Sequence, residues 1–252
     1  LAIRTLETLD EGGTVKVFIS VVIPALNEEK YIGPCLASLG AQTYPRDLYE
    51  IIVVDNASTD RTAQIGRRFG AKVVYEPDRG VGRARHRGAH EARGEIIAGT
   101  DADTMAPPTW LAEIARALRA DDSLSAVTGP ILLHGGNSFE QWFAKYVSNS
   151  ATRLSHFVGR GVIIGNNFAV RTRDYWRVGG FDTSLFSAED IDLGARLSAV
   201  TKTAFHPNML MYVSARRARE GYMNVLRRTS QDYVRVVLLG IPPAGEDFVP
   251  IR

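Results

Sequence analysis

The sequence predicts an α/β fold, a mostly parallel, doubly wound sheet flanked by helices, and three observations predict it. Short apolar runs rich in Val and Ile, at 18–23, 51–54, 72–75 and 95–100, have the length and composition of buried strands. The segments between them carry helical spacing, with Ile32, Cys35, Leu36 and Leu39 at i, i+3, i+4 and i+7. Two of the runs lead straight into an acid, Asp55 and Asp101. Alternating strands and helices bring such strand ends to one edge of a parallel sheet, the edge where ligands bind.

In chain order, residues 1–17 are polar around Glu11-Gly12-Gly13 and read as a loose lead-in. The first strand is stopped by Pro24, and Asn27 is placed to cap a helix whose first turn holds Glu28 and Glu29. After the second strand, Ser58 or Thr59 is placed to cap a helix running to Phe69, with Gly70 as its stop. The third strand leads through Pro77-Asp78-Arg79-Gly80 into 81–92, where Ala84, Gly88, Ala89 and Ala92 suit a helix lying close on a sheet.

The second half, 105–220, is less regular. A helix is expected over 108–118, opened by Pro107-Pro108, then a strand over 124–129. Residues 139–157 form a long aromatic-rich segment containing Trp142 and Tyr146. The acidic group Glu189-Asp190-Ile191-Asp192 opens a helix ending near Val200. Residues 221–252 read as an amphipathic C-terminal helix and tail, with Tyr222, Leu226, Tyr233, Val236 and Val237 at helical spacing among Arg227, Arg228 and Arg235.

A chain of 252 residues, 45% apolar with a net charge of +2, has an ample core and no global field arguing for nucleic acid or membrane. All but five of its thirty Lys and Arg residues are Arg, the better fork for phosphate and carboxylate. The single cysteine, Cys35, excludes a disulfide framework and a multi-cysteine metal site, and reads as a buried structural thiol. No apolar stretch approaches the ~18 residues of a membrane span, and the N-terminus lacks a signal-peptide pattern. A chain that opens on Leu rather than Met reads as trimmed.

The stretch 95–104 organises the functional reading, because its apolar run ends in two carboxylates separated by one small residue, Asp101-Ala102-Asp103. In an extended chain the two acids would share a face roughly 6–7 Å apart. Carboxylates aimed at one space suit a hard divalent cation that also holds a phosphate. Asp-Xaa-Asp is also a common turn and capping sequence, so its meaning comes from its neighbours.

Those neighbours are ordered motifs. Val21-Val22-Ile23-Pro24-Ala25-Leu26-Asn27-Glu28 and Val53-Val54-Asp55-Asn56-Ala57-Ser58-Thr59-Asp60 each join a strand to an acidic turn. Ala84-Arg85-His86-Arg87-Gly88 and Asp101-Ala102-Asp103 follow, then Gly179-Gly180-Phe181-Asp182 and Glu189-Asp190. Together they resemble the inverting glycosyltransferases of family 2, and the resemblance covers most of the chain, from Ser20 to Arg217. His86 stands where that family usually has Asn. The Gln-Xaa-Xaa-Arg-Trp motif of processive polymer synthases is absent, with Ser214-Ala215-Arg216-Arg217 roughly in its place, which points to transfer of one sugar.

The resemblance implies the GT-A (nucleotide-diphospho-sugar transferase) fold, with a donor-binding half at 18–104 and an acceptor-binding half at 105–220. It implies Mg²⁺ or Mn²⁺ held by Asp103 with Asp101 nearby, neutralising charge on a departing nucleoside diphosphate. Asp101 would also orient the ribose and Asp55 the base, with Pro24, Ala25, Asn27, Glu28 and Ala102 lining the donor. Arg85, Arg216 and Arg217 would reach the diphosphate. Asp190 would take the proton of the acceptor hydroxyl, its proton affinity raised by Glu189 and Asp192. Asn166, Asn167, Glu189 and Trp176 would face the acceptor. Plainer alternatives are an N-cap for Asp55, complementation of a helix dipole by the 189–192 acids, and a solvated helix face for Arg87 and Arg93.

The expected activity is transfer of one hexose from a nucleotide-diphosphate sugar, GDP-mannose first and a UDP-sugar second, to a glycan or lipid-linked hydroxyl acceptor. The Arg-flanked C-terminal stripe would lie on an anionic bilayer, placing the protein in the cytoplasm at the cytoplasmic face of a membrane; packing on the domain is the alternative. A sugar-nucleotide-binding relative without turnover is the second expectation. A sugar-nucleotide pyrophosphorylase needs a Gly-rich loop and a dehydrogenase Gly-Xaa-Gly-Xaa-Xaa-Gly after the first strand, and neither occurs. The near-neutral charge speaks against a nucleic-acid module.

Overall fold

The computed structural model describes residues 8–9, 15–185, 187–216, 227, 230–239 and 241. Within the expected lead-in, Thr8–Leu9 (β1) and Val15–Lys16 (β2) pair as an antiparallel ribbon. The donor half then alternates as its periodicity predicts: Ile19–Ala25 (β3), Ile32–Gly40 (α1), Tyr49–Asp55 (β4), Thr62–Arg68 (α2), Lys72–Tyr75 (β5), Val81–Glu91 (α3) and Ile96–Gly99 (β6). β3, β4 and β6 are buried almost throughout, because helices cover both faces of the sheet and leave no wet side for polar residues.

The acceptor half adds Thr104–Met105 (β7), Trp110–Ala120 (α4), Leu124–Thr128 (β8) and Ile131–His134 (β9). Ser138–Trp142 (α5) and Asn149–Phe157 (α6) are joined without a break by the π-helical turns Phe143–Ser148. Phe168–Arg171 (β10), Thr172–Arg177 (α7), Glu189–Val200 (α8), Lys202–Phe205 (β11) and Met211–Ser214 (β12) complete the described fold. The expected C-terminal amphipathic helix falls largely outside the described residues, as do Arg217, Tyr222 and Leu226; among the described residues of this stretch, Val234–Leu238 is π-helical. Among the described residues no helix is long and apolar enough to cross a membrane.

The main sheet has seven strands in the order β11-β8-β10-β6-β3-β4-β5. Only β10 runs against its neighbours, pairing antiparallel with β6 and β8, while every other ladder is parallel. The chain moves outward from β3 to β4 and β5, then returns to place β6 on the other side of β3. That reversal leaves a crevice beyond the carboxyl ends of β3 and β6, where an open α/β sheet receives its ligand. A second sheet, β7-β12-β9, stands beside this edge. Trp110, with Leu111, Ile114 and Leu118, buries the α4 side of the core.

Several helix starts differ from the sequence reading. α1 begins at Ile32 with no side-chain cap, so Asn27 does not cap it and Glu28 and Glu29 precede it. α2 begins at Thr62 with no side-chain cap from its N-cap residue Arg61, so neither Ser58 nor Thr59 caps it; Asp60 Oδ1 instead accepts the Thr62 N–H at 2.9 Å in a local turn. α4 starts after the two prolines, at Trp110. For α1 and α2, long-range hydrogen bonds between Asn27, Ser58 and Thr59 have claimed the groups that local capping rules would use.

The small residues of α3 do what their size suggests. A Cβ on Gly88 would lie 2.3 Å from Cγ1 of Val22 and 3.0 Å from Cγ2 of Val54, so the helix rests directly on β3 and β4. Gly88→Ala is expected to destabilise the fold by about 1–3 kcal/mol through overpacking, measured as a lower urea midpoint with an unchanged m-value.

Candidate active site

Asp101 and Asp103 do not continue a strand. β6 ends at Gly99, and the chain turns so that the Thr104 N–H donates to the Asp101 carbonyl at 3.3 Å and the Thr104 hydroxyl donates to the same oxygen at 2.8 Å. The Cys35 thiol reaches that carbonyl at 3.5 Å. The extended-chain spacing expected for the two acids is therefore replaced by a tight turn, which turns the small Ala102 inward and leaves it buried. Burial pushes the Cys35 thiol up to about 12, so it is an inert prop of this turn.

Two arginines neutralise the acids from opposite halves of the chain. Arg85, on α3 and only 5% exposed, donates from Nη2 to Asp101 Oδ1 at 2.7 Å and from Nη1 to Glu189 on α8. Arg216, just past β12, grips Glu28 through Nη1 at 2.8 Å and through Nη2, and its Nε lies 2.7 Å from Asp103 Oδ2, an ion-pair contact and not an aligned hydrogen bond. Its guanidinium also stacks 4.6 Å above the Tyr31 ring. Glu28, Asp101 and Asp103 thus share one crevice with two cations.

The electrostatics follow from burial against pairing. Burial alone would lower the pKa of Arg85, yet Asp101, Glu189 and Asp190 raise it. Arg216 behaves likewise, with Glu28 and Asp103 overcoming its burial. Glu28 is raised by burial, against the opposing pull of Arg216. Burial also raises Glu189 to about 7, partly opposed by Arg85 and reinforced by Asp190. Asp192 is paired with Arg196 on the same helix and Glu189 with Arg85, so both neighbours of Asp190 carry a cationic partner.

The first two strand-end loops are locked together. Asn27 Oδ1 accepts the Thr59 N–H at 2.8 Å, while its own N–H donates to Ser58 Oγ at 3.0 Å. The Glu28 and Glu29 amides donate to Thr62 Oγ1 and Asp60 Oδ2. Asp55, buried at the end of β4, accepts the Ser58 N–H at 3.1 Å, which shapes its loop without capping α2. Asn27, Ala57 and Ala188 hold left-handed φ values of 56°, 61° and 57°. Non-glycine residues rarely adopt that region, and all three sit at this edge or beside Glu189.

Asp190 is oriented by two backbone amides, its Oδ2 accepting from Gly165 at 2.7 Å and its Oδ1 from Ile191 at 2.9 Å. A Cβ at Gly165 would lie 2.6 Å from both terminal nitrogens of Arg85, so any side chain there would have to displace the guanidinium from its two carboxylates. Asn166 presents a buried Oδ1 without a hydrogen-bond partner, while its carbonyl accepts from Thr100 at 3.0 Å. Asn167 is different. Its amide donates to the Pro130 and Met209 carbonyls and accepts from the Trp110 indole at 2.9 Å, so it is a saturated core strut and not an acceptor contact.

Not every expected site residue joins this cluster. Trp176 packs against His90 and His86 on the outer side of α3, with ring centroids 4.5 and 5.6 Å away, and among the described contacts it meets none of the crevice acids. Arg85 bridges the two halves through its terminal nitrogens, while its buried Nε has no hydrogen-bond partner. Arg217 lies outside the described residues. Arg87 pairs with Glu91 on the exposed face of α3 as expected, while Arg93, past the end of α3, is exposed but pairs with the largely buried Glu50. Sequence reasoning missed Tyr31, Thr104 and Gly165. A Gly-Asn-Asn turn ahead of a strand was the only local signal for the last of these.

Residues 20–179 match the family described as glycosyl transferase family 2. The chain belongs to that family. It is 30% identical over 197 residues to the probable glycosyltransferase YdaM of Bacillus subtilis, a match covering 71% of this chain and 46% of that one. It is 37% identical over 100 residues to glycosyltransferase AglE of Haloferax volcanii, covering 37% and 33% of the two chains. The match thus spans a third to a half of these relatives' length. Among solved structures it resembles the mannosyltransferase PcManGT of Pyrobaculum calidifontis, in complex with GDP-Man and Mn²⁺, with TM-score 0.71 and 26% identity over 88% of this chain and 63% of that one. Staphylococcus aureus TarS 1–349, in complex with UDP-GlcNAc, shares the fold at TM-score 0.66 and 24% identity, covering 79% and 59%. The GT-A fold expected from the motifs is therefore the fold of this family-2 chain.

Glu189 supplies a pH test of the buried bridge. Its folded-state pKa of about 7 lies above the ordinary value of 4.5. Its neutral form therefore stabilises the fold most below 4.5, a benefit lost as pH rises through about 7. Arg85→Met removes the cation that holds both carboxylates, so it should cost about 3–5 kcal/mol at pH 8. The cost should be smaller at pH 5.5, where Glu189 takes up a proton; urea unfolding at the two pH values measures the difference.

Proposed function

We propose that the protein is a metal-dependent, inverting hexosyltransferase that moves one sugar from a nucleotide-diphosphate donor to a hydroxyl acceptor. The observation that carries this reading is the convergence of Glu28, Asp101 and Asp103 at the β3/β6 switch point, with Arg216 among them and Asp190 on the adjoining helix. GDP-mannose is the first donor to test and a UDP-sugar the second, and a lipid-linked alcohol is the acceptor class to test first.

The residues present suit Mg²⁺ or Mn²⁺. All the donors are carboxylate oxygens, and such ions are held by one or two carboxylates together with substrate phosphates. Asp103, with Asp101, would hold it, and the ion would neutralise the charge developing on the departing diphosphate.

The chain's own groups do the rest. Arg216 brings a cation from the acceptor half onto the donor crevice, where it would bind the diphosphate. The locked loops at Asn27 and Ser58 keep Asp55 and Glu28 in place for the nucleoside. Asp190, held by the Gly165 amide, would take the acceptor hydroxyl proton as that oxygen bonds to the anomeric carbon and the sugar–phosphate bond breaks on the opposite face, inverting the centre.

Isothermal titration with GDP and UDP, with and without Mn²⁺, should show metal-dependent binding of one nucleotide, and binding of neither would end this reading. Asp103→Ala should abolish that metal dependence, and Arg216→Ala should weaken donor binding roughly ten- to a hundredfold. Asp190→Asn should leave nucleotide affinity intact while lowering kcat by about 10²–10⁴.

A further inference from the structure

The helical run 138–157 is amphipathic in reverse. The residues it turns inward are small or polar: Glu140, Ala144, Asn149, Thr152 and Ser155 are all buried. Their polar groups are satisfied locally, Asn149 bonding both the N–H and the carbonyl of Ile131, and Glu140 closing a capping box with Asn137. The residues it turns outward are large and apolar, with Trp142 52%, Tyr146 52%, Leu154 59% and Phe157 87% exposed. The Trp142 and Tyr146 rings lie 6.2 Å apart along this face. An apolar stripe of this kind on a soluble surface marks an interaction site.

Charge identifies what meets it. Between 141 and 158 the only charged residues are Lys145 and Arg153, both exposed and both cationic. The neighbouring acid, Glu140, is buried in its cap. We propose that this face docks on the surface of an anionic lipid bilayer, its rings below the headgroups and its two cations among the phosphates. A second copy fits poorly, because an isologous contact would set Lys145 and Arg153 against their own kind with no exposed acid in the segment to offset them. The run is separate in sequence from the C-terminal Arg-flanked stripe at 221–252 that the sequence nominates for membrane contact.

Docking would bring the crevice to the lipid. Gly136, just before the run, is wedged between Glu140 and Ala215, and Ala215 is the neighbour of Arg216. Delivery of a lipid-linked acceptor to that site rests on the glycosyl-transfer reading; the docking itself does not.

Flotation of the whole chain with vesicles of phosphatidylcholine, alone or containing phosphatidylglycerol, tests the proposal. Binding to the anionic vesicles is expected, falling roughly tenfold for each of Trp142→Ser and Phe157→Ser. Lys145→Glu with Arg153→Glu should erase the preference for phosphatidylglycerol. Brominated lipid should quench tryptophan emission, and Trp142→Phe should remove most of that quenching. The proposal is overturned by absence of flotation, or by flotation indifferent to Trp142 and Phe157. It is equally overturned by a dimer that Trp142→Ser dissociates. A urea midpoint lowered by both serine variants would show that another segment of this chain covers the face, and would overturn it too. Nucleotide titration of the same samples reports separately on the donor site.

Discussion

Buried carboxylates cannot gather at a sheet edge unless cations gather with them. Here that constraint is met by two arginines drawn from different halves of the chain, each of which reaches at least one acid of the other half. Arg85, from the donor half, binds Asp101 of its own half and Glu189 of the acceptor half. Arg216, from the far end of the acceptor half, binds Glu28 and Asp103. An unpaired buried charge costs several kcal/mol, so each bridge ties the halves together and makes the crevice dependent on their correct docking.

The remaining architecture serves this arrangement. The switch between β3 and β6 opens the crevice, and antiparallel β10 starts at the same edge, where residues 165–167 enter it. Gly165 lets the chain pass against the Arg85 guanidinium while its amide orients Asp190. One residue without a side chain therefore connects the charge bridge to the proposed base. The left-handed Asn27, Ala57 and Ala188 show the same economy, since backbone in an unfavourable region is retained where neighbouring hydrogen bonds over-determine it.

Surface composition differs sharply between two faces of the protein. The outer side of α3 carries exposed ion pairs of the ordinary solvated kind, such as Arg87 with Glu91. The 138–157 run instead turns rings outward and polar groups inward, against the usual gradient of burial. The acidic crevice and this apolar face lie close together, since Gly136, just before the run, sits against both Glu140 and Ala215, the neighbour of Arg216.

The sequence by itself determined the strands, their alternation with helices and the acids at their ends, because apolar periodicity and motif order are local properties. Residues 72–75 and the start of α8 at Glu189 emerge where the periodicity places them. Only the tertiary structure decided which charged groups meet. Glu28 and Arg216 are 188 positions apart, and nothing local marks them as a pair. It also decided that Asn27 binds a neighbouring loop instead of capping α1, that Asn167 is spent in the core, and that Trp142 faces outward. In each case the local rule names a capable group, but packing chooses its partner, because a hydrogen bond or ion pair is worth most where burial has removed the competition of water.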